Sequence, residues 1–182
     1  MKLLLHSCCG PCTIYPLEEL RQQGHDVTAY FYNPNIHPYK EFRRRLETLE
    51  GYTATNNLSL HKEEDYELEE FLQQVAPQPA QRCNHCYRVR LYKTAEKARA
   101  LDMEGFTTTL LVSPYQNHEQ LKAIGEEIGK ALSIPFIYID FRPGFRKAQQ
   151  EARELELYRQ SYCGCIYSEK DRYYKPKPKK EG

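Results

Sequence analysis

The chain has 182 residues, with 26 basic against 25 acidic side chains and a net charge of +1. That length supports one domain able to hide roughly 70% of its unfolded surface, and the balanced charge excludes a strong overall field as the basis of function. No run approaches the roughly 18 apolar residues of a membrane span. The short apolar N-terminus lacks a small-residue cleavage site, so a cytoplasmic protein without a membrane partner is expected.

In chain order, Lys2 to Ser7 reads as a buried strand entering Cys8-Cys9-Gly10, and Pro11 suits the first turn of a following helix that Gly24 ends. Val27 to Tyr32 is a second strand, stopped by Asn33-Pro34-Asn35. A charged helix covers Pro38 to Leu49, Leu58 to Leu60 is a short strand, and Leu68 to Val75 a helix. A longer helix is expected from Cys83 to Ala100, then a strand over Phe106 to Ser113 and a helix over His118 to Leu132. Pro135 to Phe141 reads as a strand and Phe145 to Leu157 as the last helix.

This alternation predicts an α/β fold, a mainly parallel sheet flanked by helices. One domain is expected over residues 1–174, with 61–100 as a candidate helical insertion carrying the second cysteine pair. The lysine- and proline-rich segment 175–182 is expected to be a disordered basic tail. Ligands of such sheets bind beyond the carboxyl ends of the strands. Cys8-Cys9, Asn33-Pro34-Asn35, Ser113-Pro114 and Asp140-Phe141-Arg142 all fall on that edge.

The seven cysteines form three tight groups, Cys8-Cys9-x-x-Cys12, Cys83-x-x-Cys86 and Cys163-x-Cys165. An odd number in close groups points to metal or redox chemistry rather than an export-type disulfide framework. Cys8, Cys9, Cys83 and Cys86 suit a thiolate metal site, and spacing alone leaves structural zinc and a [4Fe–4S] cluster both open. Cys12, in a first helical turn, gains a lowered thiol pKa from the helix dipole. Cys9-Gly10-Pro11-Cys12 also has the letters of a thioredoxin-like dithiol site. For Cys163 and Cys165, a disulfide would close a very small ring that Gly164 relieves, and a strained, accessible disulfide is the redox-active kind.

Leu5-His6-Ser7-Cys8-Cys9-Gly10-Pro11-Cys12, Asn33-Pro34-Asn35-Ile36-His37-Pro38, Arg82-Cys83-x-x-Cys86-Tyr87-x-x-Arg90-Leu91, Thr107 to Pro114, Asp140-Phe141-Arg142 and Tyr158 to Cys165 stand together in order. Taken together they resemble the cobalamin-independent epoxyqueuosine reductases, the QueH type, over residues 2 to 168. The resemblance implies a fold related to the adenine-nucleotide alpha-hydrolases. It implies reduction of the epoxide of epoxyqueuosine at the tRNA wobble position, the last step of queuosine synthesis. It further implies cluster ligation by Cys8, Cys9, Cys83 and Cys86, and a redox-active disulfide between Cys163 and Cys165.

On that basis a cluster iron, or a second mononuclear metal ion beside it, is expected to take the epoxide oxygen as a Lewis acid. Asp140 is a candidate for proton delivery or metal contact, against the plainer reading that it pairs with Arg142. His6 and His37 are weaker proton-donor candidates. The implied partners are a tRNA whose anticodon-loop base leaves its stack and an electron donor that the sequence does not identify. Arg43-Arg44-Arg45 and the basic tail are candidate phosphate contacts. A thioredoxin-like oxidoreductase and a zinc-stabilised RNA-binding module remain the rival readings.

Overall fold

Leu3, Leu4 and Leu5 are wholly buried and lie in the first strand, β1 (Lys2–His6), a continuous apolar run of the kind that a strand covered on both faces requires. The computed structural model describes residues 1–176. In it β1 pairs in parallel with β2 (Asp26–Phe31) on one side and β4 (Gly105–Thr108) on the other, and β3 (Leu60–Lys62) pairs with β2. The order β3-β2-β1-β4, all parallel, bears out the expected α/β fold. The expected disordered tail lies, from residue 177 on, outside the described residues.

The helices are α1 (Gly10–Gln22), α2 (Tyr39–Thr55), α3 (Leu68–Val75), α4 (Arg82–Ala100), α5 (His118–Ala131), α6 (Phe145–Glu154) and α7 (Ile166–Tyr173). Pro11 opens α1, where its missing N–H costs nothing, and Gly24 beyond its end takes φ +80. Helix α4 packs against β1, β4 and α5, while α1 packs against α2 and α6. No helix among the described residues is long and apolar enough to cross a membrane.

Three local expectations are corrected. The strand expected over Phe106 to Ser113 ends at Thr108, whose hydroxyl accepts from the Leu110 N–H at 3.1 Å and turns the chain into a short 3-10 helix, Thr109–Val112. Pro135 to Phe141 makes only one parallel bridge, Phe106 to Phe136, rather than a strand. Pro135 brings no N–H to a ladder. Helix α7 was not expected, because its N-cap is Cys165, whose sulfur accepts the Ser168 N–H at 3.3 Å in place of a usual capping oxygen.

At the carboxyl edge the turns are cross-linked. The Cys8 N–H donates to Thr109 Oγ1 at 3.3 Å, and Asn33 Nδ2 donates to the Ser7 carbonyl at 3.1 Å. The ends of β1, β2 and β4 therefore form one rigid platform under the cysteine-bearing turn.

Candidate cysteine-lined active site

Leaving β1, the chain reverses at Cys8-Cys9-Gly10 and enters α1, so residues that would face opposite sides of a strand come to share one side. The Cys8 and Cys9 sulfurs are 3.8 Å apart. Cys12, one turn into α1, completes a buried group in which all three sulfurs lie within 4.8 Å of one another. Three soft donors this close suit a thiophilic metal. Cys83 and Cys86 do not belong to this compact group; they sit on the first turn of α4, Cys83 exposed and Cys86 half-buried. Cys12, which the sequence offered as a lowered-pKa thiol or as half of a thioredoxin-like dithiol, is thus the third member of the compact group.

The three thiols share protons unequally. Hydrogen bonds from Cys12 and Cys9 hold Cys8 well below the ordinary thiol value, with help from Arg90 and Thr109 against its burial. Cys12 is pushed well above that value by its hydrogen bonds to Cys8 and Cys9 and by burial. For Cys9, the pull of Cys12 is outweighed by Cys8 and burial, and it too is raised. The expected lowering of Cys12 by the helix dipole is therefore overturned. Cys9 and Cys12 are both buried, whereas a thioredoxin-like site exposes a low-pKa thiol at the helix start.

Cys163 and Cys165 are free thiols, Cys163 exposed and Cys165 buried beside Phe71 and Val75. Gly164 between them adopts φ +159, a region costly for any other residue. The loop is held from outside: the His37 N–H donates to the Gly164 carbonyl at 2.8 Å, and the Tyr162 hydroxyl donates to the His37 carbonyl. A cavity of about 560 Å³ lies between this loop and the α1 turn. Cys9 and Cys12 line it from one side and Cys163 from the other, with Gln116 Nε2 reaching Cys163 Sγ at 3.5 Å. Tyr115, 85% exposed, stands at its rim against Phe145, ring centroids 6.0 Å apart.

The other candidates take different places. Asp140 does not line this cavity; both carboxylate oxygens engage Arg142, at 2.8 and 2.6 Å, and the Arg142 guanidinium lowers its pKa to about 2. The ion pair with Arg142 thus holds the carboxylate ionised, the form suited to metal contact rather than to proton delivery. His6 is wholly buried, its ring nitrogens meeting Thr108 Oγ1 at 2.9 Å and the Tyr32 carbonyl at 3.1 Å. Burial, then Arg90, lowers its pKa to about 3. His37 is buried and bonded to the Pro34 carbonyl at 2.9 Å.

The arginine run divides three ways rather than forming a phosphate-facing strip. Arg43 pairs with Glu47 and Glu64, Arg44 stacks 3.7 Å over Tyr158, and Arg45 is fully buried. Arg90, part of the quoted motif but given no role there, lies one helical turn after Cys86, and its Nη1 donates to Cys86 Sγ at 3.3 Å. Its i, i+4 spacing on α4 was the available signal.

The same arrangement of sequence and fold recurs in known proteins. A family model described as "Epoxyqueuosine reductase QueH" matches residues 3–171. A relative of that name from Dehalococcoides mccartyi is 38% identical over 175 residues, covering 96% of each chain. One from Streptococcus pyogenes is 36% identical over 92% of this chain and 70% of its own, and one from Thermotoga maritima 32% over 91% and 89%. A solved structure described as "predicted subunit of tRNA methyltransferase" from Methanocaldococcus jannaschii is similar in fold, with a TM-score of 0.53 over 83% of this chain and 76% of its own, at 10% identity. With a family match running from β1 into α7, and so across all three cysteine groups, the chain belongs to the epoxyqueuosine reductase QueH family.

Proposed function

We propose that this chain reduces the epoxide of epoxyqueuosine at the tRNA wobble position, giving queuosine. The observation that carries the reading is the cavity where buried Cys9 and Cys12 face the exposed Cys163. Its volume of about 560 Å³ lies within the range of small-molecule sites. It has room for a single extruded nucleoside and none for a paired stem.

Cys8, Cys9, Cys83 and Cys86 are assigned as the thiolates of a [4Fe–4S] cluster. The donor set fits: the sulfurs are soft, Cys8 and Cys9 buried and Cys86 half-buried, and they come from the turn before α1 and from α4. When bound, such a cluster supplies single electrons and Lewis-acidic iron. Cys12 is a further sulfur of the same type, open to a cluster iron or to a second mononuclear metal ion.

The chain's own residues supply the rest. Oxidation of the Cys163–Cys165 dithiol to a disulfide releases two electrons and two protons. Conversion of an epoxide to an alkene and water consumes two of each. Cys163 faces the cavity and is the member that meets substrate or donor, while Cys165 is held beneath it. An external electron donor returns the disulfide to dithiol. Tyr115 and Phe145 offer aromatic faces on which neighbouring bases can stack.

The test is anaerobic reconstitution with iron and sulfide, then incubation with epoxyqueuosine-containing tRNA and a strong reductant. Mass spectrometry of the digested nucleosides should show queuosine, and metal analysis separates a cluster alone from a cluster with one further ion. A colourless, zinc-loaded protein that yields no queuosine sinks the proposal.

A further inference from the structure

Two arginines are withdrawn from solvent, Arg45 at 0% exposure and Arg90 at 2%. Arginine keeps its proton in proteins, and a buried charge must face compensating charge. Arg45 finds it in Glu41, 2.8 Å away. Among the described residues no carboxylate pairs with Arg90: its Nη1 donates to Cys86 Sγ at 3.3 Å, and its Nε lies 3.4 Å from His6 Nε2. His6 cannot neutralise it, because a carbonyl only accepts and the bond to the Tyr32 carbonyl therefore commits the Nε2 proton. Cys86 touches the guanidinium through the Nη1–Sγ contact, and Cys8 and Cys163 lie near enough to act on it as negative charge when they are thiolates, one sulfur from each cysteine group. Sulfur is the source of compensation that remains.

We propose that Arg90 is the built-in counter-ion of the cysteine centre, a positioning residue whose permanent buried charge favours metal-bound thiolates and raises the reduction potential of the centre they hold. The inference rests on the metal reading above. Three or four thiolates around a divalent ion, or around an oxidised cluster, leave a net negative charge. A cation at contact distance stabilises that state over the protonated, metal-free thiols. It stabilises the form carrying one more electron still further. Arg90 also reaches from α4 to within 3.4 Å of His6 at the end of β1, beneath the Cys8-Cys9 turn.

The test compares the wild-type chain with Arg90→Lys and Arg90→Gln. Metal-free protein is titrated with Co²⁺, whose sulfur charge-transfer absorbance reports thiolate ligation. Reconstituted protein is then titrated for its midpoint potential. Arg90→Gln should bind Co²⁺ at least tenfold more weakly. Its midpoint should fall by a tenfold change in the reduction constant, about 59 mV for a one-electron couple. Arg90→Lys, which keeps the charge and loses the fork, should stay within threefold of wild type in Co²⁺ affinity.

Wild-type affinity and midpoint in Arg90→Gln overturn the proposal. So does an equal loss in Arg90→Lys, which also serves if the neutral variant fails to fold. A wild-type chain that ligates Co²⁺ but takes up no iron and sulfide removes the cluster reading instead, and the Co²⁺ comparison then decides Arg90 by itself.

Discussion

The guanidinium of Arg45, in the middle of α2, donates to the backbone carbonyl of Cys163, 118 residues away, at 2.7 Å. It also donates to the Tyr162 carbonyl at 2.9 Å, and Glu41 both balances its charge and accepts from the Tyr158 hydroxyl. The backbone of the Cys163–Cys165 loop thus hangs on a helix from the other half of the chain. Arg45→Met should cost about 3–5 kcal/mol, because it strands Glu41 and two carbonyls in a buried place. Arg45→Lys should cost less, since it keeps the charge and loses only the planar fork. Urea denaturation of both variants checks the ranking.

Gly164 gives the loop its shape. At φ +159, an added Cβ would stand 3.0 Å from Asn35 Nδ2 and 3.3 Å from Ile36 Cγ1. Gly164→Ala should destabilise the fold by about 1–3 kcal/mol. It should also slow formation of the Cys163–Cys165 disulfide, followed by thiol counting after a mild oxidant. An unchanged rate would show that the loop does not need this conformation for its chemistry.

The two cysteines of the loop should respond differently from the proposed cluster ligands. Cys163→Ser is expected to leave cluster absorbance intact and abolish turnover, whereas Cys8→Ser should lose the absorbance. Loss of the chromophore in Cys163→Ser would instead make Cys163 a ligand. Cys165→Ser should keep α7 capped, because a serine oxygen can accept the Ser168 N–H, with a stability change of about 1 kcal/mol or less.

Asp140→Asn should leave turnover near wild type, because Asp140 lies outside the cavity and serves Arg142. The exposed pair should be worth at most about 1 kcal/mol. A large loss of turnover at unchanged stability would return Asp140 to the reaction.

His37 should make the Cys163–Cys165 loop sensitive to acid. Its Nε2–H is used on the Pro34 carbonyl, and its Nδ1 accepts the Ile166 N–H at 3.3 Å, so the folded state requires the neutral ring. Burial lowers its pKa from 6.5. Below pH 6.5 the unfolded chain therefore binds the proton more readily than the folded one, and stability falls as pH drops. The urea midpoint should decrease between pH 7 and pH 5, and His37→Gln should reduce that slope, leaving the part due to buried His6. Parallel slopes in the two proteins would assign the acid sensitivity to other groups.

Much of this was legible in local sequence. The apolar run Leu3-Leu4-Leu5 and the Val27 to Tyr32 strand follow from periodicity and were borne out as adjacent parallel strands. The α4 helix carrying Cys83 and Cys86 was also readable, within one residue at its start. Local rules failed where a side chain substituted for an expected signal. The Thr108 hydroxyl ended β4 early, and a cysteine sulfur capped α7.

By itself the sequence determined the α/β alternation and the grouping of the cysteines, since both depend on neighbours in the chain. The resemblance carried by its motifs determined the family. Only the tertiary structure decided which cysteine sulfurs stand closest together. Cys12 joins Cys8 and Cys9 because the turn between strand and helix stacks their sulfurs, while Cys83 and Cys86 arrive on a separate helix. It also decided that Arg45 and Arg90 are buried. The cost of burying each guanidinium is met partly one helical turn away, by Glu41 or Cys86, and partly by groups far away in the chain. One is the Cys163 carbonyl; another is the Cys8 sulfur. No local pattern can announce a partner 118 residues distant.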